Sequence, residues 1–226
     1  MSTTLHAATQ LDLSLAINEI FLSLQGESSY AGRPCTFIRL KGCPLRCRWC
    51  DSEYAFYEGE QKTFSEILAQ LRDLSCQLVE VTGGEPLAQR NCIPFLQTLC
   101  DSGFEVMLET SGALDVSAVP KAVKIIMDLK APGSQESSKN LWENIVHLKP
   151  GFDEIKIVVG DDKDFEFAIK ACADHKLFEK FTVLLSSVDG ELENAKLADW
   201  ILESRLPFRF QHQLHKFIWP KKSRAF

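Results

Sequence analysis

Between residues 43 and 50 the chain reads CPLRCRWC, which sets Cys43, Cys47 and Cys50 in a Cys-x3-Cys-x2-Cys run. Three thiolates this close can converge on one metal centre, and the Pro, two Arg and Trp between them do not look like a core segment. A structural zinc site usually needs four ligands. The nearest histidines are His6 and His147, and Cys35 lies inside a β-rich stretch, so the local spacing supplies no fourth. Iron–sulfur clusters are held by Cys thiolates. A four-iron cluster with three of them keeps one iron open to N and O donors of a substrate or cofactor, whereas an electron-transfer ferredoxin wants four. The spacing therefore points to chemistry at the cluster. The other cysteines, Cys76, Cys92, Cys100 and Cys172, fall on helical or strand positions and read as small apolar residues.

The elements around the run must hold it. Residues 35–42 (CTFIRLKG) are β-rich and lead into it. Thr63 and Glu66 make a capping box before Phe64, Ile67, Leu68, Leu71 and Leu74 at helical spacing. Strands are predicted over 77–81, 104–109, 123–129, 154–159, 181–185 and 207–210, and helices over 93–100, 138–147, 164–175 and 191–203. This βαβα rhythm implies a parallel sheet with helices outside. About six units are too few for a full barrel, so an open partial barrel is expected, with its site at the C-terminal strand ends. Gly83-Gly84-Glu85, Glu109-Thr110-Ser111-Gly112, Asp128-Leu129-Lys130 and Ser186-Ser187 all fall at such ends. Residues 1–16 are polar and aperiodic and read as a flexible leader before a single domain over 17–226.

Composition narrows the class. The 226 residues are 45% hydrophobic and 25% charged, at the globular average. Twenty-five basic against thirty-one acidic residues give −6, which argues against a nucleic-acid or membrane-surface binder. No apolar run approaches the ~20 residues of a membrane span. The start reads as no signal peptide, so the cytoplasm is expected. There, eight cysteines favour metal ligation over a disulfide framework.

CPLRCRWC followed by VTGGEP at 81–86 resembles the radical S-adenosylmethionine superfamily. Within it, INEIFLSLQGE at 17–27, FIRLKGC at 37–43, CDSEYAF at 50–56, TGGEP at 82–86, ETSG at 109–112 and QLHKFIW at 213–219 resemble the 7-carboxy-7-deazaguanine synthase family of queuosine biosynthesis. The resemblance spans about residues 17 to 219. It implies a lyase that converts 6-carboxy-5,6,7,8-tetrahydropterin to 7-carboxy-7-deazaguanine and ammonia. It also implies a 4Fe-4S cluster, S-adenosylmethionine, Mg²⁺, a one-electron donor such as flavodoxin or ferredoxin, and a homodimer.

Roles follow position by position. The resemblance makes Cys43, Cys47 and Cys50 the cluster ligands and Ser52 the Mg²⁺ ligand. Leu24, Gln25, Gly26, Arg39, Thr82 and His215 would contact substrate, Arg39 by a bidentate fork on its carboxylate. Trp49, Cys50, Asp51, Gly84 and Glu85 would contact the cofactor, and so would Ser111, Asp128, Leu129, Lys130, Ser186 and Ser187. Two departures stand out: Ser28 where the family often has Gly, and Asp128-Leu129-Lys130 where many members have Ser-Pro-Lys. A radical-generating activase for a partner enzyme, or a non-enzymatic zinc or cluster module, would share the cysteine run without needing Gln25 and Arg39.

Overall fold

The structure, a computed structural model, describes residues 10–219. Within them lie the strands β1 (Ser14–Leu24), β2 (Pro34–Leu40), β3 (Glu60–Thr63), β4 (Leu78–Gly83), β5 (Glu105–Thr110), β6 (Lys124–Asp128), β7 (Glu154–Val159), β8 (Thr182–Ser187) and β9 (Phe208–Phe210). They form one sheet in the order β3-β1-β2-β4-β5-β6-β7-β8-β9. The run from β2 through β4 to β9 is parallel, while β1 pairs antiparallel with both β2 and β3. Four α-helices make crossovers: α1 (Phe64–Leu74), α2 (Cys92–Asp101), α3 (Asp162–His175) and α4 (Asn194–Ser204); a short α5 (Leu214–Ile218) follows β9. Helix α1 starts as the sequence predicts, with Thr63 accepting from Glu66 N and Glu66 reaching back to Thr63 N.

Strand alternation assigns the two faces. Ile38 and Leu40, Val79 and Val81, Val106 and Leu108, Ile155 and Ile157, and Val183 and Leu185 all join the core that packs on Phe64, Phe95, Phe165 and Leu197 of the helices. The alternate positions face the concave side. At its N-terminal end, Cys35, Leu78, Met107 and Ile126 form a small apolar plug. Beyond the plug the same rows carry Arg39, Glu80, Glu109, Asp128 and Lys156, which line a cavity. In β1 a bulge between Ile17 and Glu19 switches the faces: Leu15 and Ile17 are buried against the helices, whereas Phe21 and Ser23 line the cavity.

The sheet curls without closing. Its order ends on β3 and β9, yet Ser28 N donates to Gln211 Oε1 (2.7 Å) and Leu214 N to Gly26 O (3.1 Å). The loop after β1 thus meets the segment after β9 across the open side, giving the open partial barrel of α/β class that the sequence suggests.

Three expectations need correction. Residues 10–16 are not leader: Gln10 Nε2 donates to Thr98 Oγ1 (3.0 Å), Leu13 O accepts from Phe64 N (2.8 Å), and β1 begins at Ser14 with Leu15 buried. Residues 1–9 of that expected leader, and 220–226 of the expected domain, lie outside the described residues. The helix expected over 138–147 is instead two 3-10 turns, Ser137–Lys139 and Trp142–Val146. Asparagine side chains account for this, because they bind other backbone. Asn140 exchanges bonds with Lys130 N and O, and Asn144 donates to Gly112 O and Leu114 O. The expected helix over 191–203 starts only at Asn194.

Candidate active site

The cysteine loop leaves β2 through Gly42, whose φ of +91° suits only glycine well. Its base is pinned to the end of β4. Glu85 N donates to Gly42 O (2.8 Å), and a Cβ built on Gly84 would stand 2.0 Å from that same oxygen. A Cβ on Gly83 would stand 2.7 Å from Leu40 O. The glycine pair therefore lets two strand ends touch, backbone on backbone. Residues between the cysteines anchor the loop on its other side. Arg48 N donates to Ser134 O (3.0 Å) and its guanidinium grips Glu191 with two bonds of 2.8 and 2.7 Å. The Trp49 indole fills a slot where a Cβ on Gly133 or Gly160 would come within 2.9 or 3.2 Å of it. Asp164, at the start of α3, holds that slot by accepting from Gly133 N (2.7 Å) and Gly160 N (2.9 Å).

Anchored this way, Cys43, Cys47 and Cys50 are free thiols lining one cavity of about 640 Å³. Burial pushes Cys43 up and Cys47 up to about 11, the latter against the pull of Lys130. Among the described residues no three His, Cys, Asp or Glu side chains gather at single-ion spacing. Three thiols that line one cavity are Cys donors of the kind that hold iron–sulfur clusters, so the donor set fits a 4Fe-4S group. Beside them, Lys130 Nζ bonds Asp128 Oδ2 (2.8 Å) while the buried Asp128 Oδ1 has no partner among the described residues, an acceptor suited to a hydroxyl or ammonium of a bound cofactor. Ser52, at the cap position of the 3-10 turn Glu53–Phe56, makes no capping bond, and its Oγ lies 3.9 Å from Cys50 Sγ.

Across the cavity the walls are charged. Arg39 Nε bonds Glu19 Oε1 (2.7 Å), which also accepts from Tyr54 OH (3.0 Å). Gln25 is committed at both ends, Nε2 to Glu80 and Oε1 accepting from Glu27 N (2.7 Å). Lys156 Nζ contacts Glu109 Oε1 (2.8 Å) and Glu27 Oε2. Burial drives Glu80 well above the usual carboxylate range, and the neighbouring Glu109 and Glu27 add to it. Burial also pushes Glu109 up, but the Lys156 ammonium outweighs it and holds this carboxyl below its ordinary value. Asp51 accepts from Gln213 Nε2 (3.1 Å) and is held low; burial opposes that, but Gln213 and Lys156 prevail. His215 lies near Gly26, where a Cβ would come within 3.1 Å of its Nδ1, and burial lowers its pKa.

Of the residues singled out in the sequence, Leu24, Gln25, Gly26, Arg39, Thr82 and His215 line this cavity. So do Trp49, Asp51, Ser52, Gly84, Ser111, Asp128, Lys130, Ser186 and Ser187. Two do not line it, Glu85 and Leu129. Glu85 is fully buried off the cavity, and its carboxylate accepts from Thr110 Oγ1, Ser111 N and Oγ, and Leu87 N. It fastens β4 to the end of β5. Leu129 is fully buried in the helix-side core. Glu19, Glu27, Tyr54, Glu80, Glu109, Lys156 and Gln213 went unassigned in the sequence. The signal for two of them was a charge inside an apolar strand, Glu80 in LVEVTG and Lys156 in EIKIVV, on the cavity-facing parity.

A family model described as the radical SAM superfamily matches residues 37–133. A 7-carboxy-7-deazaguanine synthase from Koribacter versatilis is 42% identical over 226 residues, spanning 93% of this chain and 100% of the relative. The protein of the same name from Chlorobaculum tepidum is 43% identical over 213 residues, spanning 93% and 97%. The crystal structure of QueE from Escherichia coli matches with a TM-score of 0.75 at 24% identity, covering 89% of this chain and 95% of that one, a likeness of fold.

Proposed function

We propose a function from one premise: the chain belongs to the 7-carboxy-7-deazaguanine synthase family. It is a radical S-adenosylmethionine enzyme of deazapurine biosynthesis, a lyase that uses a 4Fe-4S cluster and S-adenosylmethionine. In our reading the substrate is 6-carboxy-5,6,7,8-tetrahydropterin and the products are 7-carboxy-7-deazaguanine and ammonia. The observation that carries this reading is one cavity lined both by three free thiols and by Arg39, Gln25 and His215.

Cys43, Cys47 and Cys50 would hold the cluster, and Asp128 Oδ1 and Ser111 would face the cofactor. When bound, the cluster supplies the one-electron cleavage of S-adenosylmethionine that gives methionine and a 5′-deoxyadenosyl radical. The chain's own residues bind and orient the pterin. Arg39, oriented through Nε by Glu19, offers its terminal nitrogens to the substrate carboxylate. Gln25 and Thr82 contact the ring, and His215 closes over it from the segment after β9. Ser52 Oγ would hold Mg²⁺, a hard cation that takes oxygen ligands and few of them from protein.

We place the enzyme in the cytoplasm, as a homodimer fed by flavodoxin or ferredoxin; among the described residues no helix is long and apolar enough to cross a membrane. Mass spectrometry of the anaerobic reaction with the carboxy-tetrahydropterin tests the whole reading. The expected result is 7-carboxy-7-deazaguanine formed with 5′-deoxyadenosine. Cofactor cleavage with no deazaguanine, accompanied by a radical on an added partner protein, would reassign the chain as an activase.

A further inference from the structure

The ammonium of Lys156 lies where none of these roles needs it. Lys156 points from β7 into the cavity wall and is only 7% exposed, yet it touches carboxylates from two distant parts of the sheet. Glu109 comes from β5 and also accepts from Thr82 Oγ1 (3.3 Å). Glu27 comes from the loop after β1 and is steadied by Gln211 Nε2 and Gln213 Nε2, each at 2.9 Å. A buried ion triad is a weak device for stability, since apolar residues of similar volume commonly do as well or better. Here it stands in the cavity wall, where both carboxylates face the space the substrate would fill.

We propose that Lys156 is the positioning residue of the substrate pocket, fixing Glu27 and Glu109 so that they accept hydrogen bonds from ring N–H groups of the substrate. This rests on reading the cavity as a pterin site. A reduced pterin presents several N–H donors, and an ionised carboxylate is the strongest acceptor for them. Two half-buried carboxylates that share one ammonium would, without it, tend to take up a proton. The groups facing this cluster are Glu80 on β4, Asp128 on β6, Asp51 and Lys130, besides the two partners. Five of the six are acidic and lean on the ammonium of Lys156. Burial already raises Glu27, and Lys156 opposes that rise. Removing the ammonium therefore moves Glu27, Glu80 and Glu109 in one direction, upward.

The test is the pH profile of pterin turnover by the reconstituted holoenzyme and its Lys156→Met and Lys156→Arg variants. In Lys156→Met, KM at neutral pH should rise about tenfold to a hundredfold, as loss of charge-assisted contacts implies, with a smaller change in kcat. The acidic limb of kcat/KM should move to higher pH, because carboxylates now titrate later. Lys156→Arg keeps the charge and should leave that limb at the wild-type position even where KM suffers. Lys156→Gln, which removes the charge but keeps hydrogen-bonding atoms, carries the same test if Lys156→Met does not load iron. Neutral variants whose acidic limb coincides with wild type overturn the inference alone. A wild-type enzyme that leaves the pterin untouched overturns the cavity reading, and the inference with it.

Discussion

At the scale of single residues, the chain spends glycine and arginine where geometry leaves no substitute. Gly84 lies against Gly42 O so closely that any Cβ must push the cysteine loop off β4. Gly84→Ala should therefore lower the iron retained after anaerobic reconstitution severalfold. A variant with full iron content would show that the loop moves without cost. Arg39 shows a different economy. Its Nε is already bound to Glu19, so only the outer nitrogens remain for a carboxylate. Losing that charge-assisted pair is worth about 1.5–3 kcal/mol, so Arg39→Ala should raise the pterin KM at least tenfold. Arg39→Lys should recover little, since a single ammonium cannot serve Glu19 and a carboxylate in a planar fork. Steady-state kinetics with and without saturating pterin separates this from a loss of cofactor cleavage. The cysteines, Arg39 and the strand-end motifs were legible in the sequence because their spacing is local. The partners that restrain them, Glu19, Glu80 and Lys156, come from strands far away in the chain. A charge inside a strand does not say which other charge it will meet.

At the scale of elements, the loops do more positioning than the helices. The connections from β5 to β6 and from β6 to β7 lack α-helix, and asparagine and aspartate side chains tie their backbones down instead. Sequence periodicity could not foresee this, because residues 138–147 have a helical apolar pattern while Asn140 and Asn144 find better partners in the ends of β6 and β5. The bulge in β1 was equally hidden, since one extra residue, Asn18, reverses every later side chain without any turn residue to announce it. By contrast the α1 cap and the strands at 78–83 and 154–159 came out almost as expected, because cap chemistry and apolar runs are local signals. The loop after β1 offers a sharp element-scale test. Ser28 sits at φ +60°, a left-handed conformation that costs a non-glycine residue about 1 kcal/mol, and its hydroxyl accepts from Tyr30 N (3.1 Å). Ser28→Ala keeps the strain and loses the bond, so it should destabilise by about 1 kcal/mol. Ser28→Gly loses the bond but relieves the strain and should be close to neutral. Thermal melts that rank alanine above glycine would remove the strain from the account.

At the scale of the whole molecule, one face of the sheet is built for folding and the other for binding. The helix face is apolar throughout, whereas the concave face stacks Arg39, Glu80, Glu109, Asp128 and Lys156 over a small plug. Such a face stabilises less than an apolar one, and a cost concentrated at the site is common where binding needs charge. Glu80 makes that cost measurable. Its folded-state pKa is raised well above the ordinary value, by burial first and by Glu109 and Glu27 next. The folded chain thus holds a proton that the unfolded chain has already released. Between the ordinary carboxylate pKa and the raised one, the unfolded state binds fewer protons, so stability falls as pH rises. Below that window Glu80 is neutral in both states and costs nothing electrostatically. Glu80→Gln is neutral at every pH and keeps an acceptor for Gln25 Nε2, so it removes this slope and little else. Melting temperatures of the cluster-free protein from pH 5 to pH 8 should therefore drop more steeply in wild type than in Glu80→Gln. The variant should gain most at the alkaline end. Two parallel curves would mean that Glu80 is ionised in the folded chain, with Lys156 and Arg39 carrying its charge despite the burial.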